Sequence, residues 1–170
     1  SGMVRMEATG IYTWLPLGYR VLKKIKSVII KEHEKEGISQ ILMPTIQSAE
    51  IWKKSDRYES YGKEMLRIND RNGKELLYGP TNEEMITEIG SNIIKSYKSL
   101  PLSFFHIQSK FRDEIRPRFG VMRSREFLMK DAYSFDLSVK NLKSTYKKFY
   151  HLYMKIFKLL GLNVLPARAL

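Results

Sequence analysis

Cysteine is absent from this chain, which excludes disulfides, thiolate metal sites and cysteine nucleophiles. Histidine is scarce: His33, His106 and His151 are scattered, so no zinc centre is expected and each is assigned an ordinary core or surface role. No apolar run approaches the roughly 20 residues that a membrane-spanning helix needs. The opening Ser1-Gly2-Met3-Val4-Arg5 does not read as a secretory signal, so a cytoplasmic protein that does not span a membrane is expected. A glycine-rich phosphate loop of the Walker or dinucleotide type is missing too, so a bound nucleotide must be held by side chains on a sheet. Internal repeats, linkers and low-complexity segments are likewise lacking.

What is present suits a single packed core: 170 residues, 43% of them hydrophobic. Lysine and arginine number 30 against 18 acidic residues, a formal charge of +12, which favours a polyanionic partner. Nucleic acid is the first expectation and an anionic membrane surface the second.

Along the chain, residues 10–15 read as an extended lead-in, with Pro16 at the first turn of a helix. Leu17, Val21, Leu22, Ile25, Val28 and Ile29 fall at helical spacing and Gly37 is a natural stop. Residues 38–46 read as a strand that Pro44 ends or places at an edge. The stretch Ser48–Lys54 suits a short helix and 58–62 a loop. Residues 65–68 and 75–78 bracket Asp70-Arg71-Asn72-Gly73, a hairpin turn composition. Thr81 is placed to cap a helix running through Glu83, Glu84, Met85, Ile86 and Ile89. Residues 104–114 and 123–135 read as two strands. From 139 to 160 a helix returns, with Val139, Leu142, Tyr146, Phe149, Tyr153, Ile156 and Leu160 in one sector and a lysine-rich, solvated face opposite. The tail 165–170 carries no usable signal. Helices interspersed with hairpin strands predict an α+β domain on an antiparallel sheet.

The chemistry concentrates in Phe111-Arg112-Asp113-Glu114 and in Arg123-Ser124-Arg125-Glu126-Phe127-Leu128-Met129-Lys130-Asp131. If both are strands, a period of two puts Arg112 with Glu114 on one face and Arg123, Phe127 and Asp131 on one face of the return strand. An arginine fork grips a carboxylate or phosphate, a carboxylate accepts from an amino group, and an aromatic ring stacks on a base. The combination describes a site for an anion and a purine. For Arg112 alone the competing reading is an ion pair with Asp113 or Glu114. For Phe127 it is core packing, and for Thr81 and Glu83 a helix cap with an acidic first turn.

Gly37-Ile38, Ile41 and Pro44 resemble motif 1 of class II aminoacyl-tRNA synthetases, and Phe111-Arg112-x-Glu114 with Arg123-x-x-x-Phe127-x-x-x-Asp131 resembles motif 2. Gly79-Pro80-Thr81-Asn82-Glu83 is similar to the Thr-x-Glu loop of prolyl-tRNA synthetases, and residues 111–131 are close to the bacterial type throughout. The resemblance runs from about Met3 to about Gly161 and covers motif 1 near 37–46, the Thr-x-Glu loop at 79–84 and motif 2 near 104–135, all within one partial catalytic domain, 1–170. It implies a six- to seven-stranded antiparallel sheet flanked by helices, and a homodimer built around Gly37, Ile41, Met43 and Pro44. It also implies ATP-dependent ligation of L-proline to tRNA(Pro) through prolyl-adenylate, with Mg²⁺ accompanying ATP and no zinc.

By the same resemblance Arg112 is the catalytic residue, bridging the proline carboxylate and the α-phosphate. Thr81 and Glu83 hold the proline ammonium, and Asp131 and Tyr133 line its pocket. Glu114 receives the adenine amino group, Phe127 stacks on the adenine and Arg123 reaches the terminal phosphates, while Arg116 and Arg118 face the tRNA acceptor end. Nothing after Asp131 resembles motif 3, so this chain alone is expected to form the adenylate slowly or not at all. The alternative is a non-catalytic RNA-binding or dimerisation module on the same scaffold.

Overall fold

The computed structural model describes residues 2–167. Val4–Ala8 (β1) and Ile11–Trp14 (β2) form an antiparallel hairpin turned at Gly10, where a φ of 76° favours glycine. The lead-in expected over residues 10–15 is thus the return arm of a hairpin. Helix α1, Pro16–Lys35, begins on its proline and ends before Gly37, at a φ of 71°. Its apolar stripe is only half buried: Leu17 and Val21 are exposed, while Ile29 and Ile30 pack on a cluster of Ile38, Phe105, Leu152 and Ile156.

The strand expected over residues 38–46 does not form as one piece. Ser39–Gln40 (β3) makes two parallel pairs with a later strand, and Ile46–Ser48 (β4) belongs to another sheet. Between them Pro44 has no N–H to offer, and the Met43 carbonyl is taken by the Gln108 side chain. Met43, at 2% exposure, is packed inside the chain and leaves no surface for the partner contact expected of it; Leu42, at 80%, is what this segment presents.

Ala49–Lys54 (α2) is capped by Ser48, whose hydroxyl accepts from the Glu50 N–H at 3.2 Å. Arg57–Ser60 (α3) is a short helix where a loop is expected. Arg67–Asn69 (β5) and Glu75–Tyr78 (β6) pair as the expected hairpin, with Asp70 Oδ1 accepting from the N–H groups of Asn72 and Lys74 across the turn. These elements enclose a second cluster of Ala49, Ile51, Trp52, Tyr58, Met65 and Leu77. Helix α4, Glu83–Ile93, has Asn82 rather than Thr81 at its cap position; the Thr81 hydroxyl turns instead to Glu83.

Leu102–Phe111 (β7) and Glu126–Phe135 (β8) pair antiparallel in continuous register, from Leu102 opposite Phe135 to Phe111 opposite Glu126. Both stop short of Arg112, Glu114 and Arg123, which lie in the connecting loop and not on strand faces as expected. Helix α5, Val139–Leu159, starts at Ser138, whose hydroxyl accepts from the Asn141 N–H. Its second half packs through Phe149, Leu152, Tyr153 and Ile156, whereas Val139, Leu142 and Tyr146 of the expected apolar sector are exposed. Two of its lysines depart from a purely solvated role: Lys155 pairs at 2.6 Å with Glu32 of α1, and Lys148 reaches the Glu36 carbonyl and, at 3.9 Å, its carboxylate.

The α+β class stands, with strands divided among three small sheets in the orders β1-β2, β3-β7-β8 and β4-β6-β5. Every strand pairing but β3 with β7 is antiparallel. The β7–β8 ladder positions the site. One of its faces carries Phe105 and Ala132 into the cluster under α1 and α5; alternation leaves His106, Gln108, Lys110, Phe127, Asp131 and Tyr133 on the other. Among the described residues, no helix is long and apolar enough to cross a membrane.

Candidate active site

Arg112 follows β7 directly, its N–H donating to the Arg125 carbonyl at 2.9 Å. Its side chain ignores the neighbouring acids. Nε and Nη2 donate to the Pro80 carbonyl at 3.3 and 3.1 Å, and the guanidinium lies 5.7 Å over the Phe127 ring. Asp113 pairs with Arg125 and Glu114 with Arg123 at 2.9 Å, so neither supplies the ion pair that competes with a ligand for Arg112. Phe127 is partly exposed and is not a core residue.

The Pro80 carbonyl joins this arginine to the loop that carries Thr81 and Glu83. Thr81 donates its hydroxyl to Glu83 Oε2 at 2.6 Å. Asn82, fully buried between them, accepts from Lys110 and approaches Met43 Sδ at 3.8 Å. The loop is fixed from behind by Gln47, whose Nε2 donates to the Thr81 carbonyl at 3.1 Å and whose Oε1 accepts from the buried Trp52 indole at 2.7 Å. Gly79 leaves room for that glutamine, since an added Cβ would fall 2.2 Å from its Nε2.

On the ladder, Tyr133 donates to Asp131 Oδ2, and His106 Nε2 lies 2.9 Å from the same oxygen. Lys110, with no exposed side-chain surface, stands 3.8 Å from Asp131, 3.2 Å from Gln108 Oε1 and 3.4 Å from His106. Burial pushes the Asp131 carboxyl up, but the His106 and Tyr133 hydrogen bonds and the Lys110 charge outweigh it and hold the group below the ordinary carboxylate range. Lys110 is itself pushed down by burial, against the pull of Asp131 and Glu83. Burial and the Asp131 carboxylate both push the Tyr133 phenol up, so it stays a hydrogen-bond donor. Asp131 Oδ1 is buried without a partner among the described residues.

The structure therefore brings Thr81, Glu83, Arg112, Phe127, Asp131 and Tyr133 together. Glu114 and Arg123 sit at the start and end of the loop as a mutual pair, with the Glu114 carboxyl held low first by Arg123 and then by the Arg116 N–H. Arg116 and Arg118 are exposed on that loop beside Ile115, Phe119 and Met122. The loop's far end is latched by the Gly10 carbonyl, which accepts from the N–H groups of Arg125 at 2.7 Å and Glu126 at 3.3 Å. Gly37, Ile41, Met43 and Pro44 lie away from this cluster on the chain leading out of α1, apart from Met43, which supports Asn82 and Gln108 from below.

Beyond the residues expected from the sequence, the site is bordered by His106, expected in an ordinary core or surface role, Gln108, Lys110, Gln47 and Arg57, whose Nη1 reaches Glu83 Oε2 at 3.4 Å. The first three share a legible signal: polar residues at a period of two inside an otherwise apolar strand. The last two come from elsewhere in the chain and carry none.

The family model described as tRNA synthetase class II core domain (G, H, P, S and T) matches residues 65–169. The chain is 60% identical over 169 residues to a proline–tRNA ligase of Bartonella henselae and 59% identical over 169 residues to one of Sinorhizobium medicae. Each alignment takes in 99% of this chain and 38% of the relative, so the chain spans well under half the length of the curated relatives it matches. A solved Giardia lamblia prolyl-tRNA synthetase in complex with prolyl-adenylate superposes with a TM-score of 0.84 at 26% identity, covering 91% of this chain and 33% of that one.

Proposed function

Since the chain belongs to the tRNA synthetase class II core-domain family (G, H, P, S and T), we propose that it forms the amino-acid and ATP pocket of a proline–tRNA ligase. The parent enzyme joins L-proline to ATP as prolyl-adenylate, releases pyrophosphate, and passes the prolyl group to tRNA(Pro). One observation carries this reading above the others: a guanidinium steadied by the Pro80 carbonyl and the Phe127 face, directly beside the Thr81–Glu83 pair.

The proline carboxylate is already ionised at neutral pH, so its attack on the α-phosphorus needs no general base; it needs two anions held in line. Arg112 suits that task because its planar fork can face a carboxylate and a phosphate at once. Thr81 and Glu83 offer acceptors, and Glu83 a charge, to the secondary ammonium, with Asp131 and Tyr133 closing the pocket from the ladder. Glu114, Phe127 and Arg123 are assigned to the adenine amino group, the adenine face and the terminal phosphates, to which Mg²⁺ belongs as part of the substrate. No zinc is invoked. Arg116 and Arg118 are assigned to the tRNA acceptor end, two copies are taken to pair near Gly37–Thr45, and the cytoplasm is the compartment that fits protein synthesis.

The test is a chimaera in which this chain replaces the corresponding segment of the Bartonella henselae ligase, followed by ATP–pyrophosphate exchange. Exchange should require proline. Glu83→Ala should raise the KM for proline by the worth of a charge-assisted hydrogen bond, about 1.5–3 kcal/mol, and leave the KM for ATP unchanged. Arg112→Ala should lower kcat on the order of 10²–10³-fold, with lysine a poor substitute. A chimaera that folds but shows no proline-dependent exchange would leave the non-catalytic RNA-binding or dimerisation module as the better reading. Equal losses for proline and ATP that track the melting temperature would remove Glu83 from the proline site.

A further inference from the structure

Glu83 is the one acid of the pocket that stands largely open, with 54% of its side chain exposed, and both its hydrogen bonds fall on a single oxygen. Oε2 accepts from the Thr81 hydroxyl at 2.6 Å and from Arg57 Nη1 at 3.4 Å. Among the described residues, none donates to Oε1.

Arg57 comes from α3, outside every motif the sequence displays. Its Nη1 is far closer to a different acid, donating to Glu84 Oε1 at 2.8 Å. The Glu84 side chain is 3% exposed and is fixed by a second donor, the Ser55 hydroxyl at 2.9 Å. The guanidinium also lies beside two rings, with Cζ 5.0 Å from the Trp52 centroid and 5.8 Å from that of Tyr61. Trp52 is the same indole that, through Gln47, holds the Thr81 carbonyl. Both ends of the Thr81–Glu83 turn are therefore referred to one buried ring.

We propose that Arg57 and Glu84 are positioning residues for the amino-acid ammonium: Arg57 fixes the orientation of the Glu83 carboxylate, and Glu84 holds Arg57 back from neutralising it. The inference rests on the proline reading of the Thr81–Glu83 pair. The two distances set the division of labour. A hydrogen bond of 2.8 Å to a buried carboxylate is a strong charge-assisted contact, whereas one of 3.4 Å to a half-exposed carboxylate is near the limit of the geometry. Arg57 thus spends its charge on Glu84 and only steers Glu83. Were it drawn fully onto Glu83, the pocket would present a neutral ion pair where an ammonium has to bind. Arg57 touches no substrate in this arrangement; it acts through the glutamate.

The consequence is selective for ligands that carry the ammonium. In the 170-residue chain, ligand-observed NMR titrations compare L-proline with tetrahydrofuran-2-carboxylate, a ring of the same size with a carboxylate and no N–H. Arg57→Met should weaken proline about 10-fold through misplacement of one acceptor, and leave the oxygen analogue unchanged. Arg57→Lys should recover only part of the loss, because an ammonium lacks the planar fork that reaches both acids from beside the indole. Glu84→Gln, which keeps the shape, should also weaken proline selectively by freeing Arg57 to close on Glu83. In the chimaera the same variants should raise the KM for proline with little change in kcat or in the KM for ATP.

A role confined to holding the fold would instead lower both ligands together in step with the melting temperature, and that outcome overturns the inference. So does an Arg57→Met variant that binds proline as the unsubstituted chain does. If the unsubstituted chain fails to distinguish proline from its oxygen analogue, the proline reading itself falls and the inference with it.

Discussion

At the scale of single residues, the β7–β8 ladder places two lysines on opposite faces with opposite surroundings. Lys110 is compensated by Asn82, Gln108 and Asp131, whereas Lys130 has in its favour the face of Tyr153, 3.7 Å from its Nζ, and the Asp131 charge, with no hydrogen-bond acceptor among the described residues. Burial pushes its pKa down to about 8, below the roughly 10.4 of a solvated lysine. Between those values the unfolded chain keeps a proton that the folded chain has released, so folding stability rises with pH across that window, and below it the cost of the buried charge is constant. Lys130→Met should therefore melt higher than the unsubstituted protein at pH 7, with the gap narrowing by pH 9.5. A gap that stays constant between the two pH values would show that the ammonium is solvated in the folded state. This residue was invisible in the sequence, where the ladder's alternation places it beside Asp131 without saying which face would meet α5. Arg112 was legible as a residue and not as a position: its partner is a backbone carbonyl, Pro80, and no spacing rule announces a carbonyl.

Secondary-structure elements were legible where one period ran unbroken between good stops. Helices α1, α2, α4 and α5 and the β5–β6 hairpin follow from apolar spacing, Pro16, Ser48 and the Asp70–Gly73 turn. Periodicity does not say how much of each stripe finds a partner, and the outer ends of the α1 and α5 stripes stay exposed. It also read residues 38–46 as one strand, because an apolar run looks the same whether it stays in one sheet or crosses between two. The crossing leaves Leu42 exposed beside the buried Met43. If two copies pair along this segment, Leu42→Lys should shift sedimentation towards the monomer at micromolar concentration without changing the melting temperature, whereas Met43→Lys should simply unfold the chain. A Leu42→Lys protein that sediments as the unsubstituted one would place any interface elsewhere.

At the scale of the whole molecule, the formal charge of +12 is a statement about partners, not about fold. Much of it is carried by lysines on α1 and α5, but Arg116 and Arg118 are exposed on the loop between β7 and β8. If they contact phosphates of tRNA, replacing both by alanine should weaken binding and lower the salt dependence of log K by about 1 per arginine; unchanged slopes would assign the charge to the helices. The site as a whole was legible because its residues lie in two short stretches of sequence, and its support was not, because Gln47, Arg57 and the Gly10 carbonyl reach it from other elements. That last contact has a consequence for affinity. The β1–β2 hairpin holds the far end of the loop that bears Arg116, Arg118 and Arg123, through residues far apart along the chain. Short two-stranded hairpins are also among the first parts of a protein to open. Opening of the hairpin removes one of the ties on that loop, beside the Glu114–Arg123 pair, so ligand affinity at the site should respond to the local stability of a distant turn.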